Sequence, residues 1–144
     1  MTKNLDIKED HELTDLIAVA EARLREFHVM RTAKQYAGAV YIGRYVVEVY
    51  LKCAICKRLG KTKLPRLFHS HDLPGLLYFA GLEDELKTKE PLRHKSFEDV
   101  KGQQVDDLRY QSPGKVTATD CDDWNAWLND NQAGLVPWLR EKLK

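Results

Sequence analysis

The sequence predicts an all-α protein, an up-and-down bundle of four to six helices. Apolar residues recur with the 3.6-residue period of a helix along several stretches. No stretch alternates apolar and polar residues over the length of a strand. A chain of 144 residues suits one compact domain with one core, so residues 1–144 are predicted to form a single helical domain.

A first helix is predicted over about residues 10–29, because its apolar side chains form one stripe. The stripe consists of Leu13, Leu16, Ile17, Ala20, Leu24 and Phe27. Charged residues between these positions form a solvated opposite face.

A second, long helix is predicted to begin near Thr32, which has the spacing of a capping box with Gln35. Gly60 stands where a C-terminal cap belongs. The β-branched residues in the middle would suit a strand, but roughly 30 residues without a turn signal favour a helix. Gly38 and Gly43 each lower helix propensity by up to about 1 kcal/mol and permit another helix to approach closely.

Shorter helices are predicted in the second half of the chain. Ser70 could cap a third helix that ends at Gly81, with Pro74 tolerated in its first turn. Residues 83–89 and 97–108 are further helical stretches, and residues 112–114 (Ser-Pro-Gly) form a break. A long last helix is predicted to begin near Thr119 or Asp120, and Gly134 and Pro137 are expected to kink it or to interrupt it briefly.

Composition gives little indication of a partner. The chain carries 23 basic and 22 acidic side chains, so any nucleic-acid or membrane surface must be local. No apolar run reaches the roughly 18 residues of a membrane span, and residues 1–11 lack the apolar run of a signal peptide. Three cysteines do not suggest a disulfide framework, and a cytoplasmic protein with reduced thiols is expected.

Neither cysteines nor histidines predict a cofactor or a metal. Cys53 and Cys56 form a CxxC deep inside a predicted helix, whereas a reactive pair normally starts at a helix N-terminus. Packing in the core is therefore the preferred interpretation over redox chemistry or zinc binding. His69 and His71 lack a third metal ligand in a recognised spacing.

The connector after the second helix is basic. Its cations are Lys57, Arg58, Lys61, Lys63 and Arg66. One interpretation is a surface that contacts the phosphates of RNA or of a nucleotide. The alternative is that these cations complement the helix macrodipole and are otherwise solvated.

Glu48 and Lys52 have the favourable spacing of a helical ion pair. Their neighbours are apolar, so a partly buried carboxylate is expected, with Lys52 or the region of His71 and Asp72 as its partner. These residues are predicted to hold the second helix against the third. Trp124, Trp127 and Trp138 crowd the last helix, where they suit either the core or a dimer interface.

Together these motifs resemble the signature of HEPN domains. The matching positions are Glu48, Leu51 and Lys52 in the long helix, His71-Asp72-Leu73 and then Leu77 in the next helix, and Leu108-Arg109-Tyr110 before the last. The resemblance implies an up-and-down helical bundle and commonly a homodimer. It also implies a prokaryotic defence or toxin–antitoxin setting, often with a nucleotidyltransferase-type partner protein.

The chain departs from the nuclease members of that family. Those members pair an arginine with a histidine a few positions later at the start of the last helix, and the pair cleaves RNA without a metal. Arg109 matches the arginine, but Gly114, Lys115 and Val116 occupy the positions where the histidine is expected. We therefore expect a degenerate module that binds RNA, a nucleotide or a partner protein through the basic connector and Arg109.

Two alternatives remain open. The first is an active metal-independent ribonuclease that uses His71, since Arg66 and His71 have the required spacing and flank a turn. The second is an interaction module without nucleic-acid binding, in which the tryptophan-rich last helix docks a partner protein.

Overall fold

Helices form the whole regular framework of the computed structural model, which describes residues 11–103, 105, 108 and 112–144. The α-helices of the described residues are α1 (Leu13–Thr32), α2 (Tyr36–Leu59), α3 (Leu73–Phe79), α4 (Glu83–Lys89), α5 (Pro91–Lys101), α6 (Ala118–Asn129) and α7 (Leu135–Lys142). Short 3-10 turns lie at Arg66–Phe68 and Pro113–Lys115. The prediction of an all-α protein is confirmed.

Helices α1 and α2 form an antiparallel hairpin. Glu12, just before α1, makes an isolated bridge to Lys63, just after α2. The N–H of Leu13 donates to the carbonyl of Thr62 at 2.7 Å. The predicted stripe of α1 is buried at Leu16, Ala20, Leu24 and Phe27, and it packs against the core.

The ends of this hairpin correct one prediction and confirm another. Thr32 is the last residue of α1, and Gln35 precedes α2 without a side-chain cap, so the predicted capping box is wrong. Lys34 instead reverses the chain in the left-handed conformation, with φ of 62°. Gly60 does cap α2, with φ of 63°, a conformation that glycine adopts without strain.

Helix α2 lies at the centre and packs against α1, α3, α6 and α7. Nearly all of residues 46–56 are buried, as expected of a central helix that is apolar on all sides. The run of β-branched residues in α2 is explained by this burial. Gly43 permits the close approach of neighbouring helices that the sequence predicted. A Cβ built there would lie 3.1 Å from the ring of Trp124 and 3.4 Å from that of Phe27.

The described residues contain more helices than the four to six predicted, because proline and glycine divide the second half of the chain. Helix α3 ends before Gly81, whose φ of 72° again requires the left-handed region. Helices α4 and α5 separate at Glu90, because Pro91 disfavours a helical conformation in the residue before it. Helix α5 covers the first part of the stretch predicted over 97–108 and ends at Lys101.

Two separate helices occupy the region predicted as one long last helix, so the chain is interrupted near Gly134 and the kinked form is not confirmed. Helix α6 ends at Asn129, and the carboxylate of Asp130 then accepts bonds from the N–H groups of Gln132 at 3.0 Å and Ala133 at 2.8 Å. This local turn replaces the helical bonds. Pro137 falls in the first turn of α7, where its missing N–H has no helical partner to lose.

The tryptophans contribute mainly to the core of this one chain. Trp124 and Trp138 are buried, whereas Trp127 is partly buried and lies edge-to-face against Trp124. The interface interpretation therefore retains only Trp127. None of the helices among the described residues is long and apolar enough to cross a membrane.

Candidate functional site

A buried carboxylate on α2 organises the region where the predicted motif residues meet. Glu48 is only 3% exposed. Nζ of Lys52 donates to its Oε2 at 3.2 Å, and Nδ1 of His71 lies 3.0 Å from its Oε1. A buried carboxylate is stable only with such partners. The predicted role of this ion pair in holding α2 against the start of α3 agrees with these contacts.

Arg44 belongs to the same cluster and was not predicted. It lies one turn before Glu48, with its Nη1 3.5 Å from Oε1 of that carboxylate. Its Nη2 donates to the backbone carbonyl of His71 at 2.9 Å. The sequence signal was the regular spacing of Arg44, Glu48 and Lys52, which places both cations on the same face as the carboxylate.

The imidazole of His71 is fixed on one side and open on the other. Its side chain is 71% exposed although Nδ1 is held by the buried Glu48. Because a carboxylate only accepts hydrogen bonds, Nδ1 carries the proton and Nε2 is the nitrogen left for a ligand. The ring of Tyr45 lies edge-on at 6.5 Å. An exposed imidazole oriented by a carboxylate, with an arginine beside it, is an arrangement that can transfer protons.

Asp72 has a local role at the start of α3. It occupies the N-cap position without capping the helix through its side chain, and its N–H donates to Oγ of Ser70 at 3.1 Å. Its carboxylate lies over Gly75, where a Cβ would approach Oδ2 to 2.6 Å. Ser70 thus supports the turn before α3 rather than capping the helix as predicted.

The cations of the basic connector are all exposed. Lys57, Lys61 and Arg66 have no carboxylate partner within the described part of the chain, and Arg58 donates to the carbonyl of Phe79 at 2.9 Å. Cations elsewhere are mostly paired. Examples are Lys87 with Glu83, Lys95 with Asp99, Lys101 with Glu98 and Lys144 with Glu141. Lys57, Lys61 and Arg66 therefore differ from most cations of the described residues, which have a carboxylate partner there.

Of the two arginines predicted to act with a histidine, Arg66 makes no hydrogen bond to His71 in the described part of the chain. Arg109, with the neighbouring Tyr110, lies outside the described residues. Arg66 lies on the 3-10 turn before α3, and it is Arg44 that bonds to the backbone of His71.

The cysteines are buried, as the core interpretation predicted. Burial raises the pKa of the Cys53 thiol to about 12, that of Cys121 to about 11, and that of Cys56 above its ordinary value. Cys121 also donates to the carbonyl of Tyr36 at 3.4 Å. No group of three or more histidine, cysteine or acidic side chains is placed to hold a metal ion within the described ranges.

Comparison of the chain with protein-family models, with curated protein sequences and with solved structures gives no match.

Proposed function

We propose that this protein is a HEPN-like module that binds RNA through the basic connector between α2 and α3. The observation that carries the proposal is the exposure of Lys57, Lys61 and Arg66 without carboxylate partners in the described part of the chain. Unneutralised cations on one connector maintain a local positive potential, which a phosphate backbone can neutralise with release of counterions.

The HEPN-like assignment is supported by the way its motif residues meet. Glu48 and Lys52 of α2 contact each other, and His71 at the start of α3 contacts Glu48. An up-and-down arrangement, a homodimer, a nucleotidyltransferase-type partner and a defence or toxin–antitoxin setting are proposed with it on the basis of the resemblance. The homodimer is tested by light scattering, which should give twice the chain mass of 16.7 kDa. The chain mass itself would contradict it.

RNA binding is tested by fluorescence anisotropy with a labelled single-stranded RNA at about 50–200 mM salt. We expect affinity to fall steeply with salt. The triple variant Lys57→Ala/Lys61→Ala/Arg66→Ala should bind more weakly, with the slope of log K against log salt reduced by about 0.7 for each phosphate that the variant no longer neutralises.

The matched control removes the same charge from α5 and from residue 144 as Lys95→Ala/Lys101→Ala/Lys144→Ala, whose cations are paired with acids. This control should bind RNA as the unmodified protein does. Equal losses of affinity in both triple variants, or no salt-dependent binding at all, would refute the proposal. Arg109→Ala in the same assay tests the contribution that the resemblance implies for this residue.

A second candidate function, metal-independent RNA cleavage, is favoured by the contact between Glu48 and His71. In this reaction Nε2 of His71 takes the proton of an RNA 2′-hydroxyl as the oxygen attacks the adjacent phosphorus. The bond to the 5′-oxygen breaks, that oxygen takes up a proton from solvent water, and a 2′,3′-cyclic phosphate remains. The neighbouring Arg44 stabilises the charge that develops on the phosphate.

Cleavage is tested with purified protein in EDTA. His71→Ala should abolish cleavage, whereas His69→Ala, a change to an exposed neighbouring histidine, should retain it. Absence of cleavage by the unmodified protein would refute this second function and leave the RNA-binding proposal untouched.

A further inference from the structure

A cavity of about 350 Å³ lies where α3 turns into α4. It is lined by Arg58, Tyr78, Gly81, Glu83 and Asp84. This volume falls in the range of roughly 300–1,000 Å³ typical of small-molecule sites. It is therefore large enough for one base of a nucleotide.

The guanidinium of Arg58 is fixed at the edge of this cavity. Its Nη1 donates to the carbonyl of Phe79 at 2.9 Å. Its Nε lies only 2.7 Å from the place where a Cβ of Gly81 would stand, so the glycine is what permits this packing. The cation is thus held in place before any ligand arrives.

A second cavity, of about 270 Å³, shares Arg58 with the first. Its lining adds Lys57 and Lys142 and the apolar side chains of Ala54, Ala80 and Leu82. Lys142 is bonded to Glu85 at 2.7 Å, whereas Lys57 has no carboxylate partner within the described ranges. The three cations Lys57, Arg58 and Lys142 outnumber the one carboxylate bonded to them, that of Glu85. The second cavity therefore suits a phosphate group.

The first cavity offers a stacking surface and a free acceptor. Tyr78 is 62% exposed, and its ring rests edge-on against Phe79. Exposed aromatic rings of this kind stack unpaired bases. Oε1 of Glu83 accepts from Lys87 at 2.9 Å, whereas the carboxylate of Asp84 has no hydrogen-bond or ion-pair partner within the described part of the chain.

A carboxylate favours one base over the others. Its two oxygens can accept bonds from the adjacent N1–H and N2–H groups of guanine. Adenine presents an acceptor at N1, which a carboxylate repels, and cytosine offers only its N4 amino group. Asp84 beside an exposed aromatic ring is therefore expected to select guanine.

We propose that these adjoining cavities bind a guanylate, with the base between Tyr78 and Asp84 and the phosphate at Lys57 and Arg58. This assignment rests on the proposed RNA binding when the guanylate is part of an RNA chain, and it holds independently for a free mononucleotide. It identifies a base-selective subsite on α3 and α4.

Titration calorimetry of the full chain with GMP and with AMP tests the base, and two labelled oligouridylates carrying one central G or one central A test the RNA form. We expect GMP and the G-containing RNA to bind at least about fivefold more tightly than their adenine counterparts. Asp84→Asn should remove the preference for guanine and should lower the affinity for the adenine ligands by no more than about twofold.

Asp15→Asn is the matched control, since Asp15 is also an exposed acid in the first turn of a helix. It should keep the full preference. Tyr78→Leu should weaken the binding of GMP and of AMP alike, because the base loses its stacking surface. Lys57→Ala should also weaken the binding of both, because the phosphate loses a cation.

The outcomes separate the two proposals. RNA binding with equal affinity for guanine and adenine ligands overturns the guanylate site and leaves RNA binding standing. Binding of GMP with preference over AMP, but no binding of either RNA, supports the site and overturns RNA binding. Failure of GMP and both RNAs to bind overturns both proposals. A preference that survives Asp84→Asn also overturns the guanylate site.

Discussion

Nδ1 of His71 lies 3.0 Å from Oε1 of Glu48, which joins an exposed imidazole to a buried carboxylate. Lys52 and Arg44 approach the same carboxylate from the turns of α2 on either side, and their side chains are only 12% and 18% exposed. Glu48 is therefore the shared partner of a cluster that positions the exposed histidine.

Glu48→Ala should destabilise the protein much more than His71→Ala. The first change leaves two largely buried cations without their carboxylate and should lower the free energy of unfolding by about 3 kcal/mol. The second removes a mostly exposed partner and should cost less than about 1 kcal/mol. Urea denaturation at pH 7 gives both values. Equal destabilisation of the two variants would contradict the central role of Glu48.

A second polar contact of α2 predicts that Tyr50→Phe is destabilising although it removes only one oxygen atom. The hydroxyl of Tyr50, a fully buried residue of α2, donates to Oε1 of Glu21 on α1 and accepts from Nε of Arg140 on α7 at 3.2 Å. Loss of a hydrogen bond to a charged group should lower the free energy of unfolding by about 1.5 kcal/mol. Tyr41→Phe is the control, because the hydroxyl of Tyr41 lies 3.2 Å from that of Tyr45 in a partly buried pair without a charged group. It should change the free energy of unfolding by less than about 0.5 kcal/mol.

The ion pair between Glu21 and Arg140 predicts a dependence of stability on pH. Bonds from Arg140 hold the pKa of Glu21 below its ordinary value of 4.5. A lowered folded-state pKa contributes stability that is complete above the unfolded-state pKa and is lost as pH falls through the folded-state value. Arg140→Met should therefore be less stable than the unmodified protein at pH 7, and the difference should shrink as pH falls below 4.5.

Urea midpoints measured from pH 7 down to about pH 3 test this sign. Lys115→Met is the control, because Lys115 is exposed and makes no ion pair within the described part of the chain. It should show no such change with pH. If the stability difference between Arg140→Met and the unmodified protein grew as the pH fell, the stabilising role of the ion pair between Glu21 and Arg140 would be contradicted.

The two glycines of α2 should respond oppositely to alanine. A Cβ at Gly38 meets the flexible sulfur of Met30 at 3.2 Å, so Gly38→Ala should stabilise the helix by about 0.5–1 kcal/mol. A Cβ at Gly43 meets the buried Trp124 at 3.1 Å, and the overpacking should offset or exceed that gain. Thermal melts of the two variants measure the contrast. Stabilisation of both to the same degree would show that α6 does not restrict Gly43.

The parts of the fold that follow from local pattern could be predicted, and those set by distant contacts could not. The stripe of α1 and the glycine cap of α2 follow from spacing and residue type. An interruption near Gly134 was predicted, but the turn that Asp130 makes between α6 and α7 was not, because the apolar positions continue past it. The spacing of Arg44 and Glu48 was a local signal for their ion pair, whereas the bond from Arg44 to the backbone of His71 joins residues distant in sequence and could not be predicted.

The three thiols should be unreactive in the native protein. Cys53, Cys56 and Cys121 are all buried, and burial raises the pKa of Cys53 to about 12 and that of Cys121 to about 11. Both the lack of access and the small thiolate fraction slow the reaction, because the thiolate is the nucleophile. With a colorimetric disulfide reagent at pH 8, the native chain should release less than about 0.1 equivalent in the time that the urea-unfolded chain needs to release all three. Rapid release of even one equivalent from the native protein would place that cysteine at the surface and contradict the core packing of α2 or α6.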